Sequence, residues 1–194
     1  MHLFNNITHK YMTITFSRQF PGYHVRKGEN TFFVEQLLNE FDIDYRASTY
    51  MNMLHNINSD KLLAGKLTMK DLVDFHLSLS PNVTDKKLTT IRSGHRWVAG
   101  KKACLRVWSK KPYNSPQIQF FYPTTVVNTY KFGISDYGLM SLNDQSTGYY
   151  GEICKNDGLT PADFRSWFKM KDYDTCTNPV FDGQIISFSD KINY

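Results

Sequence analysis

The hydrophobic period of this chain changes at Leu88, and that change bounds what it can fold into. Up to that point most apolar residues recur at helical spacing; beyond it they recur every second residue. Residues 88–92, 103–108, 116–122 and 124–132 read as strands rich in β-branched and aromatic side chains. One earlier segment, 12–18 (Met-Thr-Ile-Thr-Phe-Ser-Arg), has the same alternation and ends in a turn at Phe20-Pro21-Gly22-Tyr23. Between it and Leu88, a helix capped by Asn30 or Thr31 places Phe33, Leu37 and Phe41 on one stripe, with Val34 and Leu38 beside it. Thr68-Met-Lys-Asp71 is a capping box with a Leu67/Leu72 staple. The helix it opens buries Leu72, Phe75 and Leu79 and stops at Ser80-Pro81. Asp42 to Lys66 has no period and is expected to be irregular.

The C-terminal third is punctuated more sharply. Gly133 to Thr147 reads as a polar loop, and a short helix near Tyr149–Lys155 is closed by Asn156-Asp157-Gly158. Thr160-Pro161-Ala162-Asp163 starts another helix with proline at its first position. That helix turns Phe164, Trp167 and Phe168 inward. Phe181-Asp182-Gly183 is expected to turn into a last strand, Gln184 to Phe188. The sum is an α+β fold: a mixed sheet curled toward a small β-barrel, with three or four flanking helices. At 194 residues the expectation is a single domain over 1–194, carrying a helical insertion at about 21–85.

Several function classes drop out. The longest apolar runs are four or five residues, too short for a membrane span, and Met1 to Tyr11 lacks a signal-peptide core, so a cytoplasmic protein is expected. Cys104, Cys154 and Cys176 form no CxxC pair and read as reduced thiols. The six histidines make no ligand-spaced pair, so no metal and no cofactor are expected. There is no GxGxxG, P-loop, HExxH or GxSxG.

Charge is distributed unevenly. Nine of the 23 Lys and Arg lie between Lys86 and Lys111, a stretch without Asp or Glu; the rest of the chain sets 14 cations against 18 acids. Trp97, Trp108 and Tyr113 are interleaved with these cations. Cations with flat rings suit RNA or another polyanion.

One constellation could do chemistry. Lys87-Leu-Thr-Thr90-Ile-Arg92 spells K-x-x-T-x-R. On a strand Thr90 and Arg92 share a face, and Lys87 reaches it from the preceding turn. A lysine crowded by Lys86 and Arg92 loses its proton more readily, and its amine could take the Thr90 hydroxyl proton for attack on an acyl carbon. Equally, Thr90 could be an ordinary strand residue and Lys87 a solvated flank.

Lys87 to Arg92, followed by Arg96, Gly100 and Leu105-Arg106-Val107-Trp108, resembles the core motif of the ASCH domains of the PUA-like superfamily. These are small β-barrel proteins that handle RNA and modified nucleosides. Ile14 to Arg18 is similar to their opening strand, which adds Phe16 and Arg18 to the expected substrate surface. The segments 156–164 and 181–186 look like parts of phage-encoded members. The resemblance covers 12–20 and 84–192. One branch is the bacterial 4-acetylcytidine amidohydrolase, in which a lysine accepts a proton, a threonine three residues on is the nucleophile, and a glutamate before the late helix donates a proton. The resemblance therefore implies Lys87, Thr90 and Asp157 as catalytic residues. It implies Arg92, Arg96, Lys101, Trp97, Phe16 and Arg18 as residues contacting RNA or nucleoside. The chain departs from the pattern at Gly100-Lys101, where Gly-Asp is usual, and in having Asp for Glu. Two alternatives stay open: a non-catalytic RNA-binding or RNA-cleaving module, and a protein-binding adaptor that uses the insertion, with Met51, Met53 and Leu54 at its surface.

Overall fold

A computed structural model describes residues 11–135, 139–170, 181–192 and 194. Cys176 and the Met1–Lys10 stretch of the expected signal-free N-terminus lie outside them. The first strand, β1 (Met12–Phe16), buries Ile14 and Phe16 and turns Thr13 and Thr15 outward, as its alternation requires. Four helices follow: α1 (Phe33–Glu40), α2 (Ser48–Ile57), α3 (Ser59–Leu63) and α4 (Met69–Leu77). Then come β2 (Thr89–Ser93), β3 (Lys102–Trp108), β4 (Gln117–Gln119), β5 (Thr124–Thr125), β6 (Asn128–Ile134), β7 (Met140–Leu142) and β8 (Gln145–Ser146). The last elements are α5 (Tyr150–Asn156), α6 (Pro161–Trp167) and β9 (Phe181–Ser187).

The strands form two sheets. In the first, β1 pairs parallel with β3 (Ile14 with Leu105, Phe16 with Val107), while β4 and β5 pair antiparallel with β3. The second is antiparallel in the order β2-β9-β6-β7-β8. Leu105, Val107 and Phe120 from the first sheet, Phe132 and Ile185 from the second, and Leu37, Leu54 and Leu72 from the helices join one hydrophobic core. The fold is α+β, and among the described residues neither sheet closes into a barrel.

Four local expectations are corrected. Asp42 to Lys66 carries α2 and α3. Their pattern is thin because α2 buries only Tyr50 and Leu54, four apart, and its N-cap Ala47 offers no side-chain cap. Gly133 to Thr147 holds the β7–β8 hairpin, whose Asn143 and Asp144 both have positive φ (49° and 67°), as a two-residue type I′ turn demands. Phe181-Asp182-Gly183 belongs to β9 rather than to a turn. Gly183 is needed there because a Cβ would sit 2.2 Å from the Arg92 carbonyl oxygen. The N-cap of α1 is Phe32, in the left-handed region; Thr31 instead donates its hydroxyl to the Ser17 carbonyl (2.7 Å) and its N–H to the Arg18 carbonyl (3.1 Å). Where sequence and structure agree, they agree in detail. Thr68 and Asp71 make both bonds of the capping box, and the Thr160 side chain accepts from the Asp163 N–H.

Met51 and Met53 are partly buried against the core and Leu54 is fully buried, so the surface expected for an adaptor faces inward. No helix among the described residues is long and apolar enough to cross a membrane.

Candidate functional site

β1 and β2 are edge strands of the two different sheets, and Arg92 of the K-x-x-T-x-R segment bridges the seam between them to the Thr15 carbonyl. The chain entering β2 is pinned by its backbone. Lys87 N–H donates to the Gln36 carbonyl (3.1 Å) and Leu88 N–H to the Asn156 carbonyl (2.9 Å). Held between α1 and the end of α5, the Lys87 side chain has one way to go, which is inward. It is 1% exposed, its Nζ lies 4.2 Å from the Phe33 ring centroid, and it donates to Asp157 Oδ1 at 2.8 Å and to the Asp157 carbonyl. Asp157 is the residue after α5, and its position follows from the helix ending that Gly158 (φ 75°) imposes. Because β2 pairs with β9 on one side only, the Ile91 N–H on its free edge also donates to Asp157 Oδ1 (3.2 Å). Asp157 is therefore buried, not presented to solvent as its place between two helices suggests.

Thr90 is 2% exposed. With Lys87, Asp157 and Arg92 it lines a cavity of about 20 Å³, walled by Phe16, Phe33, Trp167 and Phe168. The three residues expected to supply an amine, a hydroxyl and a carboxyl thus line one concave space, with Lys87 and Asp157 bonded to each other. A cavity of this volume accommodates a single water molecule; a nucleobase enters only if a wall moves, and Trp167 and Phe168 are its half-buried members.

The electrostatics follow from burial. Desolvation lowers the Lys87 amine to about 8, against the opposing pull of Asp157; the Arg92 charge adds a smaller push in the same direction as burial. Desolvation also raises the Asp157 carboxyl, against Lys87 and Arg92. Each shift moves its group toward the uncharged form, while the lysine still carries its proton below about pH 8. Crowding by Lys86 is not the cause, because Lys86 turns away to Asp42 (3.4 Å) and Glu40 (3.7 Å).

The expected substrate-contacting residues divide sharply. Arg92 lines the cavity, but its guanidinium is committed: it donates to the Thr15 carbonyl (2.9 Å) and lies over the Phe16 ring, bridging the seam. Phe16 is a buried wall. Trp97 is 1% exposed and cannot stack on an incoming base. Its backbone N–H donates to Gln184 Oε1 and its backbone carbonyl accepts from Gln184 Nε2, both at 3.0 Å, fastening this loop to β9. Arg18 points to the helices, bonding Ser78 (3.0 Å) and pairing with Glu35 (3.5 Å). Arg96 and Lys101 are exposed beside each other, Lys101 Nζ donating to the Arg96 carbonyl. Acids distant in sequence also partner Lys110, which pairs with Asp71 (3.4 Å). Half-buried Trp108 and exposed Tyr113 remain as rings at the surface, in contact with each other.

Sequence reasoning missed Phe33, Trp167 and Phe168 as walls; their helical stripes marked them as core, which they also are. Cys104 and Cys154 are buried free thiols, and burial pushes Cys154 up to about 12, far from a nucleophile's range. Among the described residues no His, Cys, Asp and Glu gather as a metal site. No protein-family model, no curated protein and no solved structure matches this chain.

Proposed function

We propose that this chain is a PUA-like protein of the ASCH type that binds RNA or a modified nucleoside and hydrolyses an acyl amide on the base. The observation that carries the reading is the convergence of Lys87, Thr90 and Asp157 on one cavity, with an amine lowered to about 8. The proton shared across the 2.8 Å Lys87–Asp157 bond can sit on either partner. With it on Asp157, Lys87 is a base and Asp157 an acid. Lys87 takes the Thr90 proton, Thr90 Oγ1 forms a bond to the acyl carbon, and the carbon–nitrogen bond breaks as Asp157 protonates the departing exocyclic amine. Water then attacks the acyl-threonine, giving its proton to Asp157 while the Lys87 ammonium returns a proton to Thr90. The carboxylic acid leaves and the pair is restored. In this reading the curled, barrel-like arrangement of PUA proteins corresponds to the two facing sheets, and the exposed Arg96, Lys101 and Lys102 hold the nucleic-acid backbone.

The test is turnover of 4-acetylcytidine, followed as acetate release. Thr90→Ala should abolish release while the fold and cytidine binding persist; equal release by wild type and variant refutes the mechanism. A second reading has one observation in its favour: the 20 Å³ cavity admits no base as it stands. There the Lys87–Asp157 pair only clips the seam and RNA is bound without turnover, so binding without acetate release selects it.

A further inference from the structure

The segments carrying Lys87 and Asp157 wall a second, much larger space. Residues 87 and 157 turn to the small cavity, whereas their neighbours Lys86, Leu88, Asn156 and Gly158 line a cavity of about 430 Å³. Two buried acceptors in its lining have no hydrogen-bond donor: Gln36 Oε1, and Glu40 Oε2, whose nearest cation is the Lys86 ammonium at 3.7 Å. Gln36 is 8% exposed and the Glu40 side chain 6%. They stand four apart on α1 and so share one face of that helix. Gln36 Oε1 occupies the space a side chain at 158 would fill, 2.1 Å from where its Cβ would be. Buried acceptors of this kind call for a donor. The walls between them are apolar, from Phe20, Phe32, Leu88 and Leu159. Cations gather on one side: Lys86 and Lys191 both approach Glu40 (3.7 and 3.3 Å), and exposed Lys155 has no acidic partner among the described residues. Asp163 is held by Arg26 (3.0 Å), and Asp85 is exposed at the rim.

From this combination we infer that the large cavity is a nucleotide site, taking a flat heterocycle with N–H donors joined to a phosphate. The ring lies between the apolar walls, its donor edge faces Gln36 Oε1, and the phosphate meets Lys155 and the lysines on Glu40. The volume falls in the range of small-molecule sites. The same chemistry is presented by a free nucleoside monophosphate and by the 5′-terminal nucleotide of an RNA. The site does not depend on turnover at Thr90, and its readout is binding.

Isothermal titration calorimetry on the full chain tests it, with CMP, GMP, cytidine, ribose 5-phosphate, and a short RNA with and without a 5′-phosphate. CMP or GMP should bind at least about tenfold more tightly than ribose 5-phosphate, the difference being the base. Lys155→Glu, at an exposed position, should weaken nucleotides about tenfold and cytidine little. Gln36→Met should weaken nucleotides and cytidine alike while leaving the unfolding midpoint near that of wild type, since the bond to Lys87 comes from the Gln36 backbone. Binding by 5′-phosphorylated RNA alone, with the same sensitivity to both variants, identifies an RNA end as the source; binding by the free nucleotide identifies the small molecule. Absence of binding by every probe, ribose 5-phosphate binding as well as CMP and GMP, or affinities unmoved by both variants would overturn the inference.

Discussion

Asp157→Asn isolates the energetics of the seam. The substitution keeps the shape of the side chain and removes its charge, leaving the Lys87 amine, 1% exposed, with only neutral acceptors and the Phe33 ring as partners. Breaking a buried ion pair from one side costs about 3–5 kcal/mol, because the surviving charge stays desolvated. Lys87 can escape by losing its proton, so the cost depends on pH in a defined direction. Its ordinary value of 10.5 holds in the unfolded chain, and burial lowers it to about 8 in the folded one. Removing Asp157, which raises it, lowers it further. In wild type the lysine's contribution to stability rises with pH between about 8 and 10.5 and is flat below 8. In the variant it keeps falling below pH 8, by up to about 1.4 kcal/mol per pH unit, until the lower folded value is passed. Urea unfolding followed by circular dichroism at pH 6.5 and pH 9 should therefore show a large loss at the first and a smaller one at the second. Lys87→Met/Asp157→Leu, which removes both charges, should lie near wild type at pH 6.5. A loss below about 1 kcal/mol at pH 6.5, or an equal loss at both pH values, would refute the buried pair.

Two further outcomes are expected. Acetate release from 4-acetylcytidine uses the one proton that the Lys87–Asp157 pair shares, so it should fall about tenfold per unit well above about pH 8, where the Lys87 ammonium loses that proton; a rate flat from about pH 6 to 10 would exclude the pair as acid and base. RNA binding should have a shallow salt dependence. With Lys86, Lys87 and Lys110 paired to acids and Arg92 committed to Thr15, the exposed Arg96, Lys101, Lys102 and Lys111 give a slope of log K against log salt of about −3 for a single strand. A slope of about −6 in filter-binding measurements would mean that the paired lysines also reach phosphate.

Local chemistry carried the legible parts of the fold. The Thr68 and Thr160 caps, the Gly158 helix ending and the alternation of β1 each depend on residues adjacent in sequence, and each is found where the pattern places it. The illegible parts depend on distant partners. Helix α2 has a two-residue buried face whose Tyr50 bonds the distant Phe120 carbonyl, and Gly183 looks like a turn glycine until the Arg92 carbonyl is seen against it. The site divides the same way. The spacing put Thr90 and Arg92 on one strand with Lys87 just before it, but only the fold shows that Trp97 is sealed by Gln184, that Arg18 serves the helices, and that acids remote in sequence neutralise part of the basic run.

The most direct test of the proposed chemistry is to look for the bond it forms. Wild-type protein mixed with 4-acetylcytidine, quenched in acid within the first turnovers and mapped by peptide mass spectrometry, should carry an acetyl group on Thr90 that disappears as substrate is exhausted and is missing in Lys87→Met. Intact 4-acetylcytidine with an unmodified Thr90 peptide, from protein shown to be folded, would contradict the account.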